Sequence, residues 1–143
     1  MVAPVRGEPF NAVRGLGAHC NGQPLQVGSI QHLLDGVAVT VSPKPHAGFL
    51  PTYVEQLDRV LGALAGARRS GSMALDLAYL AAGRVDLFWE RGMGAWDAAA
   101  GVLLTREAGG EVPTLDGLPQ PQSAKIAAAT PRLSAVWRDL LAR

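Results

Sequence analysis

Two carboxylates and one glycine turn are the features of this sequence that could do chemistry together. Glu90 ends the run RVDLFWE, and Asp97 follows it seven residues later within GMGAWDAAAG. Two hard oxygen ligands near each other suit Mg²⁺, which keeps several waters and takes one or two protein carboxylates together with a substrate phosphate. The turn Ser70-Gly71-Ser72 leads into an apolar stretch and would leave helix N–H groups open to a phosphate. Together these residues indicate metal-assisted phosphate chemistry.

Each of these features also has a purely structural interpretation. Asp97 is well suited to cap a helix, and from the residues alone a cap is favoured about two to one over a catalytic role because such caps are common. For Ser72, a simple N-cap has about even odds. The residues before Asp97 make a functional role more favourable, because a short glycine loop leads from Glu90 back to Asp97. Both carboxylates can then face one crevice at the carboxyl edge of a sheet, where ligands bind in α/β folds.

The remaining candidate residues favour structural roles. Asp76 interrupts an apolar helix, and a buried carboxylate of this kind needs hydrogen-bond partners. The segment RGLG lacks the spacing of a dinucleotide site. The three histidines lack metal-ligand spacing, and the adjacency of His19 and Cys20 is a weak signal for zinc or for a thiol nucleophile. Neither a GxSxG elbow nor a Walker A loop occurs, so the usual hydrolase and NTPase motifs are missing.

Helices and strands that alternate along the chain must position these residues. The spacing of apolar residues predicts a hairpin over 1–27, strands over 36–42 and 84–90, helices from Thr52 to near Gly66, over 73–82 and from Asp97 to about Ala108, a short strand and turn over 111–117, a strand over 123–130 and a terminal helix over 131–142. Such alternation predicts a layered α/β sheet domain.

Composition narrows the class of protein. With 143 residues, 48% of them hydrophobic and 17% charged, the chain is long enough for one domain with a real core. The net charge is +1 and the basic residues are scattered, so the sequence shows no basic patch of the kind that binds nucleic acid. No apolar run approaches the roughly 20 residues that span a bilayer, and no signal peptide is recognisable. Cys20 is the single cysteine, which fits a reducing cytoplasm.

The stretch RRSGSMALDLAYLAAGRVDLFWERGMGAWDAAAGVLLTREAGGEV, residues 68–112, closely resembles the C-terminal portion of the inositol monophosphatase family. Its second signature, a Trp-Asp followed by small residues and glycine, matches WDAAAG at 96–101. Residues 4–27 are similar to the family's hairpin region. The resemblance implies an α/β fold, a layered α–β sandwich with a mixed sheet and flanking helices. It also implies that residues 1–36 are a remnant of the N-terminal domain and that 37–143 form the C-terminal α/β domain.

The resemblance implies a Mg²⁺-dependent phosphomonoesterase, commonly a homodimer, that hydrolyses inositol phosphate or a similar small phosphate ester. By position, Asp97 matches an aspartate that ligates Mg²⁺ and touches substrate. Gly71, Ser72 and Met73 match the substrate-binding stretch at a helix start. Glu90 matches a residue that holds polyol hydroxyls. No residue of this chain matches a catalytic group beyond these binding residues.

One departure from the family limits these expectations. The first family signature, of the form Asp-Pro-x-Asp-Gly-Thr, does not occur in these residues, and neither does the upstream glutamate that shares the metals. We therefore expect an incomplete metal site and a chain that is weakly active or inactive alone. Two alternatives stay open: a non-catalytic binding or assembly module with the same fold, or a phosphatase of the same superfamily that acts on nucleotide or sugar bisphosphates.

Overall fold

The structure of the protein is a computed structural model that describes residues 1–120 and 122–142. Helices and strands alternate through most of the described chain. In chain order the elements are β1 Val2–Ala3, β2 Glu8–Ala12, β3 Ala18–Cys20, β4 Gln23–Pro24, β5 Val37–Val39, α1 Leu50–Ala63, β6 Gly66–Arg68, α2 Met73–Ala81, β7 Leu87–Arg91, α3 Ala95–Glu107, β8 Lys125–Ala129 and α4 Pro131–Ala142. Within the described residues, no helix combines the length and apolar character needed to cross a membrane.

The larger part of the chain is built on a mixed sheet with strand order β6-β5-β7-β8. Strand β5 pairs in parallel with β6 and β7, whereas β7 pairs antiparallel with β8. The first four residues of β7 are all buried, as expected for a strand covered on both faces. The mixed sheet with flanking helices therefore confirms the predicted fold class.

Alternate residues of β7 enter two different cores. Trp89 faces α1 and α4, where it stacks on Tyr53 at 6.0 Å between ring centroids and meets Trp137 edge-on at 5.7 Å. The Trp137 indole nitrogen donates a hydrogen bond of 3.1 Å to the carbonyl of Phe88. The Phe88 side chain points the other way, into a core that it shares with α2 and α3. Side chains on this strand are thereby fixed in direction up to its last residue.

The N-terminal hairpin forms a second sheet, with strand order β1-β2-β3-β4 and antiparallel pairing. Phe10, Ala18 and the free cysteine Cys20 are buried against the outer side of α2 and α3. The layers thus run from α1 and α4, through the mixed sheet, to α2 and α3, and then to the hairpin sheet. The division into domains at residues 36 and 37 stays a prediction, and Arg143, its last residue, lies outside the described residues.

Several boundaries differ from the sequence-based expectations. Three turns join the four strands of this sheet, and one of them interrupts residues 11–19. Residues 25–27 follow β4 outside any strand, although the N–H of Leu25 still donates to Ala18 O at 2.8 Å. Helix α1 begins at Leu50 because Pro51 fits the first turn, where its missing N–H costs nothing. Strand β6 was not predicted. Its three residues are too few, and too poor in branched side chains, to give a strand pattern.

The two strands expected around the site are shorter than predicted. Strand β5 covers Val37–Val39 of the expected 36–42, and β7 begins only at Leu87. The residues just before β7 instead continue the turn that ends α2, because the N–H of Arg84 donates to Tyr79 O at 2.9 Å. Residues 111–117 form two isolated bridges to β8 and no ladder. Pro113 has no N–H for a ladder bond, which explains the interruption.

Candidate functional site

The start of α2 has the geometry of an anion-binding helix terminus. Gly71 has a φ of +92°, a conformation that glycine adopts without strain. Ser72 is the N-cap, and its hydroxyl accepts a hydrogen bond of 3.4 Å from the N–H of Leu75. In the described chain, the N–H groups of Met73 and Ala74 have no acceptor. The structural interpretation of Ser72 as a cap is confirmed, and the cap leaves two N–H groups open to an anion.

Glu90 is held at the carboxyl end of β7 by two backbone donors. The N–H of Val41 donates to its Oε2 at 3.1 Å, and the N–H of Arg91 donates to its Oε1 at 2.8 Å. The side chain is almost fully buried, with 4% exposed. Burial raises the pKa of Glu90 to about 7, against the two N–H bonds, and the nearby Asp76 carboxyl group adds to the increase. Glu90 is therefore a fixed carboxyl group that changes protonation near neutral pH.

Glu90 and Met73 line one cleft of about 320 Å³ between the end of β7 and the loop over residues 41–49. Phe49 lies against Gly92, where an added Cβ would come within 3.0 Å of the Phe49 ring. Glycine at that position lets the loop approach the strand end closely. The structure thus places two of the predicted substrate-binding residues in one crevice at the carboxyl edge of the sheet.

Asp97 lies in the first turn of α3, and its predicted role as the helix cap is wrong. The helix begins two residues earlier, with Gly94 as the N-cap and without a side-chain hydrogen bond to the cap. Oδ2 of Asp97 is directed back over Gly94, at 3.1 Å from the position of a Cβ at that glycine. Among the described residues, the carboxylate forms neither a hydrogen bond nor an ion pair. It is half-buried and open to a cation.

The expectation that Glu90 and Asp97 face one crevice stays a prediction. Asp97 is absent from the lining of the cleft that holds Glu90. Trp96 is 84% exposed, and its ring lies over Gly94 outside the core. Helix α3 begins at Ala95, so Trp96 and Asp97 both lie in its first turn. The roles of Gly71, Ser72, Met73, Glu90 and Asp97 as ligand-binding residues stay predictions.

Asp76 contradicts the expectation that it has hydrogen-bond partners. The residue is completely buried in α2, and neither carboxylate oxygen has a hydrogen-bond partner in the described part of the chain. Burial raises the pKa of Asp76, and the nearby Ser70 hydroxyl lowers it in part, although its geometry falls short of a normal hydrogen bond. A neutral carboxyl group explains how this residue is tolerated inside the protein.

Sequence reasoning missed two basic residues of the cleft, Arg91 and Lys44. The only local signal for Arg91 was its place directly after Glu90 at a strand end. Its orientation depends on Gln56 of α1, whose Oε1 accepts from the Arg91 Nε at 2.9 Å. Gln56 is 35 residues away in the sequence. No local pattern predicts such a contact.

Asp97 is the candidate metal ligand among the described residues. Among them, no group of three or more histidine, cysteine, aspartate or glutamate side chains is arranged to hold a metal ion. Asp97 fits the role of a single ligand because its carboxylate is half-buried and has no protein partner. Mg²⁺ accepts one or two protein carboxylates when phosphate and water complete its shell. The geometry therefore fits Asp97 as one ligand of a Mg²⁺ ion.

Comparison with known proteins gives a family match. The model of the inositol monophosphatase family matches residues 1–142. An inositol-1-monophosphatase of Rhizobium meliloti is 42% identical over 141 residues, which cover 98% of this chain and 53% of the relative. The Nus factor SuhB of Escherichia coli is 48% identical over 115 residues, which cover 80% of this chain and 43% of the relative.

Solved structures give the same result for the fold. The extragenic suppressor protein suhB from Bartonella henselae superposes with a TM-score of 0.90 at 39% identity, covering 96% of this chain and 54% of that one. The chain thus spans about half the length of the relatives that it matches. Since the family model covers nearly every residue, the chain belongs to the inositol monophosphatase family.

Proposed function

We propose that this chain carries the substrate-binding part of a Mg²⁺-dependent phosphomonoesterase that hydrolyses inositol phosphate or a similar small phosphate ester. The observation that carries the proposal is the start of α2, where two N–H groups without acceptors follow the Gly71 turn. A phosphate bound there would be held by backbone donors and by the helix dipole. Relatives named inositol-1-monophosphatase support this substrate class.

Glu90 is suited to hold the alcohol part of the ester. Its carboxyl group lines the cleft beside Met73, the first residue of α2, so a phosphate on the helix would place the rest of the ester in that cleft. The two backbone donors keep both oxygens in place. A fixed carboxylate accepts hydrogen bonds from hydroxyl groups, and this favours a polyol over an apolar alcohol.

Asp97 is the residue that would hold the metal. A bound Mg²⁺ would supply charge stabilisation for the phosphate and lower the pKa of a water molecule. The chain's own part in this chemistry is to present one half-buried carboxylate at the start of α3. One carboxylate binds Mg²⁺ weakly, so we expect little or no turnover from these 143 residues by themselves.

Titration calorimetry with Mg²⁺ in the presence of inositol 1-phosphate tests the proposal. The wild-type chain should bind, and Asp97→Asn should weaken the Mg²⁺-dependent binding at least about tenfold because it removes a charged ligand. Asp58→Asn is the matched control, since Asp58 is exposed on α1, away from the cleft. Equal Mg²⁺ affinity in the wild type and Asp97→Asn would contradict the role of Asp97.

A non-catalytic binding or assembly module is the second candidate function. The observation that favours it is the 48% identity to a protein named Nus factor SuhB, together with the absence, among the described residues, of a group of three or more side chains that could hold a metal. A module of this kind would bind its partner or a phosphate ligand equally well with and without Mg²⁺. Adding a chelator to the same titration separates the candidates, because only the phosphatase site loses affinity.

A further inference from the structure

A second cavity, of about 240 Å³, lies along α3 and shares no residue with the cleft beside Glu90. We call it the α3 cavity. Its floor consists of small apolar residues that recur at helical spacing, namely Ala95, Ala98, Ala99 and Val102. Arg106 continues the same face of the helix towards its end. The alanines leave room above an apolar surface, and a cation stands at one end of it.

A second cation, Arg14, reaches the cavity from the loop between β2 and β3. Glu107, at the end of α3, holds this loop in place. The N–H of Gly15 donates to both oxygens of the Glu107 carboxylate at 3.0 Å, and the N–H of Gly17 donates to Oε2 at 3.0 Å. Both glycines have a positive φ, +77° and +83°, which the loop requires. The backbone of Arg14 is therefore fixed beside α3.

The positive charge of the α3 cavity is not neutralised by the described part of the chain. Within residues 1–120 and 122–142, neither Arg14 nor Arg106 forms an ion pair, and no acidic residue lines the cavity. The oxygens of the neighbouring Glu107 are occupied by the N–H groups of the loop. These N–H groups lower the pKa of Glu107, and the charge of Arg14 contributes least to that decrease. The cavity therefore attracts anions.

Gln120 adds an unsatisfied hydrogen-bond donor to the wall of the cavity. The residue is partly buried, and its Nε2 has no acceptor among the residues that the structure describes. A buried amide group nearly always has a partner, so this nitrogen calls for a water or a ligand oxygen. Guanidinium groups and the amide nitrogen are donors only. The polar groups that line the cavity without a partner thus match an anion rather than a cation.

We propose that the α3 cavity binds a small organic anion, whose phosphate or carboxylate group contacts Arg14 and Arg106 and whose short apolar part covers the alanines of α3. Guanidinium groups pair with either kind of anion through parallel N–H···O bonds. The cavity is smaller than the pockets of about 300–1,000 Å³ that take drug-sized ligands, so the ligand is small. This site goes beyond the proposed phosphatase function, because it shares no residue with the cleft beside Glu90 and needs no metal.

Titration of the full ¹⁵N-labelled chain with benzoate, phenylphosphonate and neutral benzamide tests this inference. A chelator is present, so that metal-dependent binding in the other cleft does not contribute. We expect saturable shifts of the Gln120 side-chain amide and of the backbone amides at Gly15, Gly17, Ala99 and Val102. Benzamide should bind at least about tenfold more weakly than the tighter of the two anions, because it has no charge for the arginines. Which anion binds more tightly shows whether the site prefers a carboxylate or a phosphate group.

Two kinds of variant separate this cavity from non-specific attraction of anions. The double variant Arg14→Gln, Arg106→Gln should weaken anion binding at least about tenfold, because it removes both charges. Ala99→Leu should also weaken binding, because it fills the cavity without changing the charge, and leucine at this exposed helix position keeps the protein folded. Arg138→Gln and Ala135→Leu are the matched controls at exposed positions of α4 and should bind as the wild type does.

Three results overturn the inference. They are the absence of saturable shifts with either anion, equal affinity for benzamide and the anions, and unchanged anion affinity in the double arginine variant or in Ala99→Leu. None of them bears on the proposed function, since the cavity and the cleft beside Glu90 have no residue in common.

Discussion

At the scale of single residues, the protonation of Glu90 is the property that the fold changes most clearly. The carboxyl group is buried beside Asp76, another buried acid, and two backbone N–H groups compensate only in part. Its pKa rises from an ordinary value of 4.5 to about 7. Folding therefore binds a proton between these two values, because the unfolded chain has already lost it. The stability that this proton provides is complete below pH 4.5 and is lost as the pH rises through about 7.

The Glu90→Gln variant makes this dependence measurable. The free energy of unfolding of the wild type should fall relative to the variant as the pH rises from about 5 to 8, by at most about 3 kcal/mol, because glutamine does not titrate. Urea denaturation at a series of pH values measures the difference. Glu111→Gln, at an exposed carboxyl group, is the control and should show no such trend. A difference that stays constant or grows with pH would disprove the raised pKa.

At the scale of secondary-structure elements, the close contact of α2 with α3 holds the turn at Gly71 and the start of α3 in place. Gly101 of α3 faces Leu77 of α2, where an added Cβ would lie 2.6 Å from the Leu77 Cβ. Only a residue without a side chain allows this approach. The glycine in the signature WDAAAG therefore has a packing role in addition to any role near the metal.

Gly101→Ala should destabilise the protein by about 1–3 kcal/mol because the new methyl group forces α2 and α3 apart. Gly62→Ala is the matched control in α1, since nothing lies within 4 Å of its added Cβ. That variant should gain up to about 1 kcal/mol from helix propensity. Urea denaturation measures both. Equal effects of the two substitutions would show that the helices are not in the contact described here.

The elements themselves were predictable where their pattern is strong. The apolar run of α2 and the buried run of β7 gave the right types at nearly the right places, and Pro131 marked the start of α4. Strand β6 was missed because its three residues are too few to show a periodic pattern. The start of α3 at Ala95 was missed because alanine favours a helix but does not mark where the helix begins. Short strands are defined by their neighbours in the sheet, which local sequence does not contain.

The candidate site was predictable only in its contiguous parts. The sequence predicted both the turn at Gly71 and the strand that ends near Glu90, and the structure has them at the same residues. The cleft did not, because residues 41–49 and Gln56 reach it through the fold from distant positions. The common crevice expected for Glu90 and Asp97 stays a prediction, and the helix that carries Asp97 begins two residues earlier than the sequence indicated.

At the scale of the whole molecule, the chain is a layered unit that spans about half of its relatives' length. Large apolar side chains remain on its surface, most clearly Trp96 at 84% exposure and Leu16 at 73%. Exposed aromatic and aliphatic side chains favour association. The homodimer implied by the family resemblance stays a prediction, and these side chains are where such contacts would form.

The measurement that tests the account most directly is residue-resolved NMR of the ¹⁵N-labelled chain, titrated with inositol 1-phosphate and Mg²⁺. We predict that amide shifts concentrate at 71–74, at 90–92 and at Asp97, because these groups would hold the phosphate, the alcohol and the metal. Shifts confined to another concavity, such as the one lined by Gln26–Gln31 and Arg132, would contradict the proposed site, as would no shift at any ligand concentration.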